Sequence, residues 1–175
     1  MTLLRRLAVA WAITGFSLLL GVALLRLTAR TLEGFTYTFT WHHWLVLSAG
    51  ALFMAYTEGY RGFQLKFSPR FADRVLALRR AGTLTQCLLA PFYAMGFFAA
   101  PRRVVITAWL LTVMIVCLVL LLKLVPQPWR GIADAGVVIG LGWGLIATLW
   151  MTADRLRRRP DFSPAATAYP ESAAP

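Results

Sequence analysis

The sequence predicts an all-α polytopic membrane protein on three observations. The 175 residues are 59% hydrophobic and 14% charged, with a mean hydropathy of +0.65, far from the composition of soluble domains. Several uncharged runs approach the roughly 20 residues that a helix needs to cross a bilayer. Lysine and arginine outnumber acidic residues 18 to 7 and border these runs. The net charge of +11 therefore indicates anionic lipid as a partner, and no nucleic-acid-binding motif accompanies it.

Four runs are predicted to span the membrane, because a helix satisfies its backbone hydrogen bonds within the segment. They are residues 7–25, 40–60, 104–122 and 135–153. The first run is longer than the apolar core of a typical signal peptide, so we expect it to remain as an anchor. Trp41 marks the outer edge of the second run, as interfacial aromatic residues do.

The uncharged stretch 81–101 is ambiguous, and the positive-inside rule decides its interpretation. If the stretch does not cross, 14 of the 18 basic residues lie inside, whereas a crossing splits them 10 to 8. Pro91 also opposes a straight helix through its middle. We therefore predict a re-entrant or interfacial hairpin, four spans, and both termini on the cytoplasmic side of a bacterial inner membrane.

Between the second and third spans, Ser68 followed by proline is typical of a helix start. Phe71, Val75 and Leu78 then recur at helical spacing, which predicts a cytoplasmic amphipathic helix on the inner leaflet. Residues 1–159 are predicted to form one transmembrane domain. The tail 160–175 is rich in proline, alanine and serine, so we expect it to be disordered.

Small residues recur at every fourth position of the last span, on one helical stripe where another backbone can approach closely. We expect this stripe to pack within the protein, against span 104–122, with a homo-oligomer interface as the alternative. The residues are Gly136, Gly140, Gly144 and Thr148.

His42 and His43 stand between two tryptophans and raise the possibility of a haem or chlorophyll ligand. Successive helical residues point about 100° apart, so the pair cannot easily hold one metal. An interfacial belt explains them better, and we expect no cofactor and no metal site.

A polar cluster at the junction after the second span is the candidate binding site for an anionic lipid headgroup or a partner's acidic segment. Arginine suits this role because its planar fork holds phosphate or carboxylate at two points. The three-residue spacing of Glu58 and Arg61 allows an ion pair on one helical face, with a functional carboxylate as the alternative. The candidate residues are Glu58, Tyr60, Arg61, Gln64, Arg70, Arg102 and Arg103.

Two strings carry a resemblance. EGYRGFQ from Glu58, continued by FSPR from Phe67, resembles a family of small, uncharacterised bacterial integral membrane proteins. The string PQPWRGIADAG from Pro126 is similar to the same family. The resemblance implies a membrane location and no particular activity.

The residue patterns favour a non-enzymatic binding or assembly module of a membrane complex, in contact with anionic lipid. No phosphate-binding glycine loop, zinc-binding HExxH or nucleophile elbow is present, which disfavours catalysis. A small transporter or channel component formed by oligomerisation is the alternative. A lipid-acting enzyme or a pigment-binding subunit comes third.

Overall fold

The computed structural model describes residues 3–158, and every regular element in that part of the chain is helical. Three helices are long and apolar enough to cross a membrane: Leu3–Gly34, Arg102–Leu122 and Trp129–Arg158. The prediction of an all-α membrane protein is confirmed at this level. The tail predicted to be disordered, 160–175, lies outside the described residues.

The helices are joined by short connections. In chain order they are α1 (Leu3–Gly34), α2 (Trp41–Met54), a π-helical segment (Ala55–Phe67), α3 (Ser68–Ala81), α4 (Leu84–Leu88), α5 (Ala90–Met95), α6 (Arg102–Leu122) and α7 (Trp129–Arg158).

Helix α2, the π-helical segment and α3 form one uninterrupted rod over residues 41–81. The rod is not among the three long apolar helices, because α2 has only 14 residues before the polar π-helical segment begins. Phe67 keeps right-handed helical angles, with φ −78° and ψ −52°, at the point where a new helix was expected. Ser68 therefore caps no helix, and its hydroxyl instead shares a 2.8 Å hydrogen bond with Thr148 of α7.

The expected amphipathic helix is thus a continuation of the second helix. It packs between α1, α5 and α7 rather than lying alone on a leaflet. Its apolar side is the predicted one, and its buried members include Phe71, Val75 and Leu78.

Helix α7 packs along the whole rod, α1 packs against α7 and α3, and together they form a bundle around one apolar core. Residues four apart lie on one face of a helix. Helix α1 buries such a stripe, which consists of Ala8, Ala12, Phe16 and Leu20. The Phe16 ring contacts Phe67 and Phe71, with centroid distances of 5.5 and 4.7 Å.

Stretch 81–101 contains two short helices, α4 and α5, of five and six residues, and neither is long enough to cross a bilayer. Pro91 at the start of α5 lies directly against Gly15 of α1. The Trp11 indole donates to the Leu88 carbonyl at 3.1 Å. The stretch is therefore anchored to the side of α1.

Several arginines at the ends of α1, α3 and α7 bond within the protein. Arg74 donates to the carbonyls of Tyr93 at 2.5 Å and Phe98 at 2.8 Å, and its guanidinium lies 4.0 Å from the Tyr93 ring centroid. Three more contacts join Arg5 to the Arg80 carbonyl, Arg79 to the Leu156 carbonyl, and Arg155 to the Asp73 carboxylate. These cations hold the helix ends together.

Helix α6 stands at the edge of the bundle, and no residue of it is buried within residues 3–158. Near its start, the Trp109 ring meets Phe97 with a centroid distance of 5.3 Å. Near its end, Leu118 and Leu122 border an apolar groove shared with α2 and α7. Helix α6 therefore approaches the bundle at these two places.

Candidate functional site

The candidate site centres on the π-helical segment, whose 13 residues include most of the predicted polar cluster. Its hydrogen-bond register persists to the N–H of Ser68, which bonds the Phe63 carbonyl five residues earlier. The next residue, Pro69, has no N–H to donate. π-helical turns are rare, and they occur frequently at functional sites. This segment is therefore a candidate functional element.

Glu58 and Arg61 form no ion pair among the described residues, contrary to the expected pairing. The π register widens the turn, so residues three apart no longer share a face. Glu58 faces α7, and a Cβ added to Gly140 would lie 3.2 Å from the Glu58 Cβ. Arg61 is exposed. The two charges therefore have different surroundings.

Gln64 also contacts α7. Its amide oxygen accepts a 2.8 Å hydrogen bond from the Trp143 indole. Gly59 permits this approach, because a Cβ there would lie 3.0 Å from the Trp143 Cβ. A largely apolar groove opens beside this pair, and it is lined by Gln64, Ile139, Trp143, Ile146, Ala147, Trp150 and Met151.

The remaining residues of the cluster are turned away from the bundle. Tyr60 is 40% exposed and stacks on Tyr56 with a ring-centroid distance of 6.1 Å. The exposed cations Arg61, Arg70, Arg102 and Arg103 make no hydrogen bond or ion pair through their side chains to any residue of 3–158. The structure thus divides the predicted cluster between an inward pair, Glu58 and Gln64, and an outward set.

The small-residue stripe of α7 is buried along its length, and it faces the rod rather than α6. A Cβ on Gly136 would lie 3.2 Å from Met54, and one on Gly144 would overlap the Phe63 ring. Thr148 continues the stripe through its bond to Ser68. The expected pairing with span 104–122 is therefore wrong, because the glycine gaps are filled by side chains of the second helix.

The two histidines lie at the start of α2 and bond to Thr40, the residue before the helix. The Thr40 hydroxyl is 2.8 Å from His42 Nε2 and 2.7 Å from His43 Nδ1. The His43 ring also contacts Trp129 of α7, with centroids 4.6 Å apart. No group of three metal-ligating side chains occurs within the described part of the chain.

Two residues of the α7 side were not singled out from the sequence. Nothing in the sequence distinguishes Trp143 from the other apolar residues of its run. Its hydrogen bond to Gln64 makes it part of the candidate site. Asp134 precedes the apolar run, but it is 2% exposed, and its nearest cations are Arg30 and Arg130. The four-residue spacing of Arg130 and Asp134 was the available signal that these two charges lie on one face of the helix.

Comparison with known proteins gives no significant match to a family model, a curated protein or a solved structure. The resemblance of the two strings to small bacterial membrane proteins therefore stays an expectation.

Proposed function

We propose that the chain is a four-span protein of a bacterial inner membrane with both termini in the cytoplasm. It acts as a non-enzymatic binding and assembly module that contacts anionic lipid through outward-facing arginines. Any homo-oligomer or larger complex forms around the same transmembrane domain.

The course of the chain supports four spans. The start of α1 and the end of α3 adjoin, because Arg5 donates to the Arg80 carbonyl. At the opposite end, Gly34 of α1 meets Gly131 of α7. The rod therefore returns the chain to the side where α1 began, and α6 and α7 complete a second pair of crossings.

The binding proposal rests on a difference between two groups of arginines, those that bond within the protein and those that are exposed and do not. Arg74 and Arg79 bond within the protein, and these bonds account for their charge. Arg70, Arg102 and Arg103 are exposed and form no such side-chain bond within residues 3–158. Cations near a membrane surface gain about 1 kcal/mol each from anionic lipid. A purely structural role leaves these three unexplained.

The first test removes these three charges together, as Arg70→Gln, Arg102→Gln and Arg103→Gln. We expect retention of phosphatidylglycerol by the purified protein to fall about a hundredfold relative to phosphatidylcholine, since about 1 kcal/mol is lost for each of the three arginines. Native mass spectrometry in mild detergent measures the retained lipid.

The matched control removes three other exposed cations, as Arg26→Gln, Lys123→Gln and Arg157→Gln. This control keeps the same net charge change but leaves the proposed site intact. Equal loss of lipid in both triple variants contradicts a specific site, because net charge alone then explains binding.

A transporter or channel component is the second candidate, and Glu58 is the observation that favours it. An ionisable residue inside a membrane normally marks a transport or proton pathway. Glu58 lies against the middle of α7, so a pathway would need a second subunit to complete it.

A further inference from the structure

The polar π-helical segment lies at the depth of the membrane interior. Helix α6 is the best gauge of depth, because its run 104–122 is uncharged and must occupy the hydrocarbon. Its outer end borders Val46 and Gly50 of the rod. Near its inner end, Trp109 contacts Phe97. The next residue, Phe98, accepts a hydrogen bond from Arg74 of the rod through its backbone carbonyl. The π-helical segment, Ala55–Phe67, lies between these two levels and therefore within the bilayer.

The other two spans agree on this depth. Glu58 contacts Gly140, and Gln64 contacts Trp143, both near the centre of the apolar run 135–153. Phe67, the last residue of the segment, stacks on Phe16 at the centre of run 7–25. The sequence had placed this segment at the inner boundary, so the contacts move it into the bilayer.

One face of the segment is turned away from α7. The exposed residues of the segment are Tyr56, Tyr60, Arg61, Leu65 and Lys66. With hydrogen bonds that span five residues, Tyr56, Tyr60 and Leu65 follow one another at intervals of four and five, and together with Arg61 they form what we call the tyrosine–arginine face. Tyrosine and arginine are the residues that most often carry binding energy at protein interfaces.

Arg61, the charged residue of this face, makes no ion pair with any residue of 3–158. Asp73 and Asp154 are paired with Arg155 and Arg158. Asp134 is buried, and the cations that act on it electrostatically, Arg30 and Arg130, lie at the outer end. Within residues 3–158, the carboxylate that a second copy has at this depth is Glu58, and that side chain is turned toward Gly140 of its own α7.

We propose that the tyrosine–arginine face binds a transmembrane helix of another polypeptide that carries a carboxylate within its apolar run. Charged groups within membranes are paired with one another, and Arg61 lacks such a partner here. The carboxylate would accept two parallel hydrogen bonds from the guanidinium, while Tyr56 and Tyr60 pack on the helix surface. A headgroup phosphate is the less suitable occupant, because it would have to leave the bilayer surface. This inference rests on the proposed assembly role and names the chemistry of the partner.

The test uses full-length protein in phosphatidylcholine vesicles and a synthetic leucine–alanine transmembrane peptide with one central glutamate. A peptide with glutamine in that place is the matched probe. We expect the glutamate peptide to associate about threefold to thirtyfold more tightly, as measured by energy transfer between fluorophores, because polar contacts between membrane helices have this size. Arg61→Gln should abolish the preference, whereas Arg157→Gln should retain it.

Equal affinity for the two peptides overturns the proposal, and so does a preference that survives Arg61→Gln. Loss of phosphatidylglycerol retention in Arg61→Gln, without any peptide preference in the unmodified protein, replaces the helix with a lipid headgroup. Self-association that Arg61→Gln disrupts, again without a peptide preference, replaces it with a second copy. Failure of the Arg70, Arg102 and Arg103 lipid test leaves the peptide result unaffected, so the two proposals fail separately.

Discussion

Gly131→Ala is expected to destabilise the protein, although alanine normally favours a helix. A Cβ on Gly131 would lie 2.8 Å from the Gly34 Cα, so the two backbones must separate. Overpacking of this kind costs about 1–3 kcal/mol and can exceed the helix-propensity gain of at most about 1 kcal/mol. Unfolding in mixed detergent micelles, followed by tryptophan fluorescence, measures the change.

The control is Gly142→Ala, eleven positions along the same helix, where a Cβ would meet nothing within 4 Å. It should leave the stability unchanged or raise it by up to about 1 kcal/mol. If the Gly131 and Gly142 variants shift the stability in the same direction, the close approach of α1 and α7 is contradicted.

Gly144→Ala is expected to be the second strongly destabilising change, because the new Cβ would overlap the Phe63 ring. Phe63 belongs to the π-helical segment, so this variant tests how the segment is seated against α7. Adding Phe63→Leu should recover part of the loss, with a coupling energy of about 0.5–3 kcal/mol. The same unfolding assay applies, with Phe63→Leu alone as the control. Additive effects would show that the two side chains do not meet.

The sequence predicted the long helices because their charge-free runs leave little alternative in lipid. It could not predict the continuous rod. Ser68 and Pro69 look the same whether a helix starts there or a π-helical turn ends there. The hydroxyl that seemed available for a cap is bonded to Thr148, eighty positions away, and no local pattern reports such a contact.

The sequence predicted which residues belong to the candidate site, but it did not predict which helices they contact. The spacing of the glycines identified the packing stripe, yet its partner depended on which helix offers side chains that fill the gaps. Phe63 and Met54 do so, although α6 is closer in sequence. The sequence predicts Glu58 at the inner end of a span because it ends an uncharged run. Its contact with Gly140 of α7 supports the deeper position that we propose.

The most direct test of the central claim is the depth of the π-helical segment, measured by labelling single cysteines with a membrane-impermeant maleimide. The background carries Cys87→Ala and Cys117→Ala, and the single cysteines replace Leu65, Gln127 and Arg157. We expect the Gln127 variant to be labelled in intact cells and the Arg157 variant only in everted vesicles. We expect the Leu65 variant to be labelled in neither until the protein is denatured. Labelling of the Leu65 variant from the same side as Arg157 would contradict the account, because the segment would then lie outside the bilayer.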